Sequence, residues 1–307
     1  MKVVITGATG LIGSALTASL LRDGNQVSVL VRDVAAAARL LPGATLHPWD
    51  ATGGPPPEAA FQDVDGIVNL VGESIAGGRW TDARRKRLRD SRIISTRALV
   101  DAIQGLGRRP AVLVSASGAG YYGDRGDEIL TEASAPGHGF LPDLARDWEA
   151  EAQRAHDLGV RVTIVRNGAV LSRDGGFLRK VLTLFRLGLG GRLGDGRQWF
   201  PWIHLDDEIG LVRHALLQTQ AAGTLNAVAP EPVTNRELTA ALGEALSRPT
   251  VLAAPEFAMR MALGAMADEL LFASQRVMPV RTLESGYKFK HPLLRPALKD
   301  LLAKKRG

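Results

Sequence analysis

The chain of 307 residues has no cysteine. That excludes disulfides, thiolate catalysis and cysteine-ligated metals, and it fits a cytoplasmic protein. No apolar stretch approaches the roughly 20 residues that cross a membrane as a helix. The amino terminus runs straight into a strand pattern, without the basic and apolar segments of a secretory leader. Neither a membrane nor a secretory route is expected. No group of histidines and carboxylates has ligand spacing, so no metal is expected either. Net charge is +6. Much of the excess lies in Arg84-Arg85-Lys86-Arg87 with Arg89 and Arg92, and in Lys304-Lys305-Arg306. No aromatic residues interleave with these runs, so nucleic acid is not an expected partner. They read as solvated faces, with part of the charge available to attract an anionic cofactor or substrate.

Hydrophobic residues make up 45% of the chain, enough for a full core. The length suits one elaborated α/β domain, or a large domain with a small companion.

The strongest signal is at the start. Val3-Val4-Ile5 reads as a short buried strand, and Thr6-Gly7-Ala8-Thr9-Gly10-Leu11-Ile12-Gly13 follows it. A helical pattern comes next, with Leu11, Ile12, Ala15, Leu16, Leu20 and Leu21 on one face. Strand, glycine turn and helix together open a dinucleotide-binding fold. Gly7 allows the turn, Gly10 lets the backbone approach a pyrophosphate, and Gly13 lets helix and strand pack closely. The helix amino terminus offers free N–H groups and partial positive charge to the phosphates.

Strand signals then recur: Gln26–Val31, Ala44–Pro48, Asp65–Gly72, Ala111–Ser117 and Val160–Arg166. Helical stretches alternate with them, which is the doubly wound pattern of a parallel sheet. Arg32 and Asp33 end the second strand. An arginine there pairs with the 2′-phosphate of NADP, and an acid accepts from the ribose hydroxyls of NAD. Arg32 comes first, which favours NADP; the other reading leaves Arg32 exposed and gives the ribose to Asp33. Asp50 ends the third strand, either to accept from an adenine amino group or to open the following turn. Leu70 and Gly72 fall at the carboxyl edge of the sheet, where open α/β folds bind ligands. Ser117, Tyr121 and Tyr122 gather hydroxyls at the same edge.

Past Leu171 the alternation loosens. Gly188–Gly196 is flexible, and Trp199, Trp202 and His204 follow among polar residues. Glycine freedom beside aromatics suits a substrate wall, or a surface loop over core tryptophans. His204 is either a proton donor or a histidine bonded within the fold. Asp206 or Asp207 should cap a helix from Glu208. Gly223–Val228 reads as one more strand, and Thr234 with Glu237 as a capping box. Pro255–Leu271 and Gln275–Ser285 look helical. The division expected is a Rossmann domain over residues 1–171 and a small, mostly helical substrate-side region over 172–307, part of which can return to the first.

Several stretches together resemble the extended, or atypical, short-chain dehydrogenase/reductase superfamily, and within it bacterial epimerase family proteins with a C-terminal domain of unknown function. They are Ile5–Gly13, Val68–Glu73, Gly120–Gly123, Phe185–Gly191, Trp202–Asp207, Thr234–Glu237 and Gln275–Val277. The resemblance implies NADP(H) bound by a Rossmann domain. Backbone groups of Thr9, Leu11 and Ile12 would meet the pyrophosphate, and Arg32 the 2′-phosphate. Asn167, Ala169 and Val170 would lie near the nicotinamide.

Active members of that superfamily carry Tyr-x-x-x-Lys on the helix after the fifth strand. Its tyrosine moves a proton and its lysine lowers the tyrosine's pKa. Here one register puts Leu141 and Ala145 at those positions, and the next puts Phe140 and Leu144 there. Ser117 survives as the counterpart of the family's serine, and Tyr121 or Tyr122 is left to replace the phenol. Two functions stand: an NADP(H)-dependent oxidoreductase or epimerase-like enzyme acting on a small substrate, or an inactive NADP(H)-binding sensor.

Overall fold

The computed structural model describes residues 1–303, so the basic run at 304–306 lies outside the described residues. Seven strands form one parallel sheet: β1 (Lys2–Thr6), β2 (Gln26–Val31), β3 (Thr45–Pro48), β4 (Gly66–Asn69), β5 (Val112–Gly118), β6 (Arg161–Asn167) and β7 (Gly223–Ala227). Their order is β3-β2-β1-β4-β5-β6-β7. The strand pattern is a run of apolar residues because both faces are covered. Val3 and Ile5 point into one core with helices α1 (Leu11–Arg22) and α6 (Leu205–Leu217). Val4, Ile67, Leu113 and Ile164 point into the other, with α3 (Asp82–Gly105) and the end of α4 (Phe140–Gln153). α2 (Val34–Leu40) links β2 to β3.

The chain direction across the sheet reverses between β1 and β4. The loops after those strands part there, leaving a crevice at their carboxyl ends. β7 adds to the far edge beside β6. The region beyond residue 171 therefore completes the sheet and also supplies α6 to one of its faces. The rest of that region includes α5 (Gly176–Arg186), α7 (Asn235–Leu246), α8 (Glu256–Leu263), α9 (Val280–Glu284) and α10 (Leu294–Leu302). Residues of α5, α7 and α10 enclose a third core around Trp202.

Two local expectations change. The cap of α6 is His204, not Asp206 or Asp207: its Nδ1 accepts from the Asp206 N–H at 3.0 Å. Residues Trp202–His204 pair as a short strand with Ala169–Leu171, which ends in extended backbone at His204 and starts the helix straight after it. The stretch Gln275–Ser285 is helical only over α9. Arg276–Val277 pairs with Ile129–Leu130, and Pro279 disfavours helical backbone at the residue before it.

Asp207, freed from capping, is fully buried. Its carboxylate accepts from the N–H groups of Lys290 at 2.7 Å and His291 at 2.8 Å, and from the Tyr287 hydroxyl at 3.1 Å. Asp207→Ala strands the two N–H donors of Lys290 and His291, while the Tyr287 hydroxyl keeps the Asp207 main-chain carbonyl at 2.9 Å. The substitution should cost about 3 kcal/mol or more in urea unfolding, whereas Tyr287→Phe should cost about 1 kcal/mol. Equal stability of Asp207→Ala and the parent chain would refute this account.

Candidate functional site

The turn between β1 and α1 is set by two close approaches. Gly7 has φ +67°, and a Cβ there would lie 2.5 Å from the Leu70 carbonyl oxygen. A Cβ on Gly13 would lie 2.4 Å from the Gly7 carbonyl oxygen. Only glycine lets the helix sit this near the strand. Gly10 is the N-cap of α1, and no side chain among the described residues caps that end. The first-turn N–H groups thus face the crevice with partial positive charge. A Cβ on Gly10 would touch only the Gly7 carbonyl, 3.3 Å away, and would otherwise occupy the crevice. The residues present suit a phosphate seated on backbone.

The crevice has two ends. One is a cavity of about 620 Å³ lined by Thr9, Arg32 and Asp50. The other, of about 460 Å³, is lined by Leu11, Ile12, Gly13, Asn167, Ala169 and Val170. Gly7, Gly10, Leu70 and Gly72 belong to both. The structure thus brings every residue singled out for cofactor contact onto one continuous groove. Arg32 is exposed at the groove, while the Asp33 carboxylate accepts from the Ala36 N–H at 2.9 Å and caps α2. Asp50 both lines the groove and opens a turn, its Oδ1 accepting from the Thr52 N–H and hydroxyl at 3.1 Å.

At the second end α4 presents Leu141, Leu144, Ala145 and Trp148 to the cavity. Of the two registers, Leu141 and Ala145 both line the cavity, and of Phe140 and Leu144 only Leu144 does; neither brings a phenol or an amine there. The two tyrosines do not fill the gap. Neither lines the cavity; Ala119 and Gly120 do. The turn over Ala119–Tyr122 sends both rings back against Leu130, Val228 and Val277. Tyr122 is 0% exposed, and its hydroxyl donates to Asn226 Oδ1 at 2.7 Å and accepts from Arg166 at 3.0 Å. Burial pushes its pKa up to about 12. The Arg166 guanidinium lies 3.4 Å from the Tyr121 ring centroid.

Ser117 does line the cavity, and its hydroxyl donates to Glu149 Oε1 at 2.6 Å. Glu149 in turn holds Arg166 through both carboxylate oxygens, at 2.9 and 2.8 Å. Glu149 and Arg166 carry no local signal in sequence, since β6 and α4 meet only in the fold.

Of the three residues proposed for the substrate wall, Trp199 lines the cavity; Trp202 and His204 do not. Trp202 is 1% exposed in the third core, and His204 is 2% exposed under the start of α6. The His204 ring stacks on His291 at 3.8 Å, and ligand atoms of His204, His291 and Asp300 lie within 4.8 Å of one another. Sequence spacing gave no hint of this group. It is poorly set for a metal, because the Nδ1 of His204 accepts the helix cap and its proton must therefore sit on Nε2.

Glu208, also unmarked in sequence, is fully buried beside the groove. The amide of Asn167, oriented by its surroundings, donates to Glu208 Oε1 and to the Val165 carbonyl, each at 3.2 Å. The other carboxyl oxygen has no partner among the described residues. Burial pushes the pKa of Glu208 up to about 8.

A parallel sheet with an uncapped glycine cradle at its switch point defines a Rossmann-type, nucleotide-binding protein. The relatives make the class narrower. A model of the NAD dependent epimerase/dehydratase family matches residues 3–227, and a model of a domain of unknown function, DUF1731, matches 254–301. The chain belongs to that epimerase/dehydratase family. It is 43% identical over 296 residues to an epimerase family protein of Mycobacterium bovis, covering 96% of each chain. Human epimerase family protein SDR39U1, solved with NADPH, superposes with a TM-score of 0.87 at 35% identity, over 98% of this chain and 99% of that one. A nucleoside-diphosphate sugar epimerase from Corynebacterium glutamicum superposes with a TM-score of 0.80, also at 35% identity, over 98% of this chain and 58% of that one.

The buried carboxyl gives a pH-dependent test. Glu208 holds its proton in the fold up to about pH 8, against 4.5 for the ordinary group. Unfolding between those values releases the proton, so Glu208 costs nothing at low pH and costs more as pH rises towards 8. Glu208→Gln should therefore be the more stable form at pH 7, by on the order of 3 kcal/mol. The gain should vanish near pH 4. Urea midpoints that stay parallel between the two pH values would contradict a buried neutral acid.

Proposed function

We propose that this chain binds NADP(H) and works as an oxidoreductase or epimerase-like enzyme on a small molecule. The observation that carries the choice of NADP is the pair at the end of β2. Asp33 is spent on the α2 cap, and the neighbouring Arg32 stands exposed at the groove. A free guanidinium there favours a 2′-phosphate, and a committed carboxylate is a poorer partner for a ribose diol. The NADPH held by the human relative supports the same reading.

When bound, the nicotinamide supplies or accepts a hydride. The chain's own groups divide the remaining work. First-turn N–H groups of α1 hold the pyrophosphate, Arg32 the 2′-phosphate and Asp50 the adenine edge. Asn167, Ala169 and Val170 flank the nicotinamide end. The Ser117 hydroxyl donates its hydrogen bond to Glu149, so it offers lone pairs and orients a donor on the substrate. Tyr122 has no part in the chemistry, because its hydroxyl is engaged out of reach of the cavity.

A second reading, a non-catalytic NADP(H) sensor, is favoured by the wall of α4, where Leu141 and Ala145 leave no phenol or amine. Incubation with NADP(H) and a library of carbonyl, hydroxyl and unsaturated compounds separates the two: an oxidoreductase changes the NADPH level, an epimerase-like enzyme interconverts stereoisomers with no net change in cofactor, and the sensor does neither.

The cofactor choice has its own test. Arg32→Ala should weaken NADPH binding about 10- to 100-fold, the range of one or two charge-assisted hydrogen bonds. NADH binding should hardly change. Fluorescence titration reads both, and an equal loss for the two cofactors would remove Arg32 from 2′-phosphate recognition.

A further inference from the structure

The cavity next to α4 differs in chemistry from the other end of the groove. Among the described residues its only charged wall groups are Arg92 and Glu269. Both are engaged within the fold, apart from the Arg92 Nε–H, which is buried and has no partner among the described residues. Arg92 is 7% exposed, and its terminal nitrogens donate to the Leu88 carbonyl at 3.0 Å and the Glu73 carbonyl at 2.9 Å. Its guanidinium lies against Gly72 and 5.1 Å from the Trp148 ring centroid. Glu269 accepts from the N–H groups of Phe140 at 3.1 Å and Leu141 at 2.7 Å, at the start of α4.

The neutral polar groups are engaged as well. The Gln198 amide donates to the Leu193 and Leu271 carbonyls, and the Gln275 amide to the Gly123 carbonyl. Trp199 donates its indole N–H to Asp127 at 2.8 Å, away from the cavity. Arg276 sits 4.6 Å from the ring centroid and steadies it. Apart from the Ser117 oxygen, which can still accept one hydrogen bond, the side-chain surface left for a ligand is hydrocarbon and aromatic ring: Leu141, Leu144 and Ala145 on one side, and Trp199, Phe200 and Leu270 on others.

We propose that this cavity takes an uncharged, mostly apolar ring compound and rejects nucleotide sugars, although one relative is described as a nucleoside-diphosphate sugar epimerase. The proposal rests on the dinucleotide reading of the groove. A diphosphate needs cations or free N–H groups to replace its water, and once the α1 amides hold the cofactor's own pyrophosphate this end has no exposed cation left for a second diphosphate. The cavity of about 460 Å³ must also admit the nicotinamide end of the cofactor. What remains suits one ring or two fused rings, held by flat aromatic contact.

Saturation-transfer NMR on the full chain loaded with NADP⁺ tests this, with naphthaldehyde and UDP-glucose as probes at equal concentration. Naphthaldehyde protons should take up saturation, and UDP-glucose protons should not. Trp199→Glu and Leu270→Glu, both at half-buried positions, should each weaken naphthaldehyde binding about tenfold or more while NADP⁺ affinity holds. UDP-glucose displacing naphthaldehyde would overturn the proposal. So would naphthaldehyde affinity that stays the same in both variants. Failure of the parent chain to bind NADP⁺ would instead sink the dinucleotide reading, and the same two probes on the unloaded chain would then decide the cavity's chemistry alone.

Discussion

The ligand edge depends on how closely α1 lies on β1. The Gly7 carbonyl and the Gly13 backbone approach until no Cβ fits between them, and Gly7 itself turns against Leu70 at the end of β4. That contact fixes the direction in which α1 points its free N–H groups. It also sets where β1 and β4 part at the switch of the sheet. Arg32, Asp50 and Asn167 take their places around a groove whose axis this packing defines.

Much of this is legible in sequence because it is local. A run of apolar residues, three glycines at fixed spacing and a helical face all lie within one short segment. The strand ends follow by counting, so Arg32 and Leu70 could be picked by position, whereas Asn167 comes from the family resemblance. What fails to show is side-chain direction after a turn. Tyr121 and Tyr122 sit at the right edge of the sheet, yet the turn that carries them faces its backbone to the cavity and its rings to the core. His204 likewise reads as a reactive group beside aromatics. One short strand pairing moves it beneath a helix, where capping fixes its tautomer.

Pairings between distant elements were invisible for a related reason. Glu149 on α4 meets Arg166 on β6, and Glu208 on α6 meets Asn167 at the end of β6. No spacing rule connects them. Both place a carboxyl next to the groove, but with opposite consequences. Glu149 is matched by the Arg166 guanidinium. Glu208 has no cation and keeps a proton instead. The chain thus carries one carboxyl paired with a guanidinium and one buried acid without a cation within the same layer of structure.

The addition of β7 beside β6 has a further consequence for how the molecule holds together. The sheet edge that would otherwise lie bare after β6 is closed by a strand from much later in the chain. α6 lies under the sheet, and its buried Asp207 grips the backbone at Lys290 and His291. Late sequence is therefore woven into the early fold at two places. A fragment ending at residue 171 would expose an unpaired strand and lose one covering helix, so the nucleotide cradle cannot be isolated as a small autonomous module.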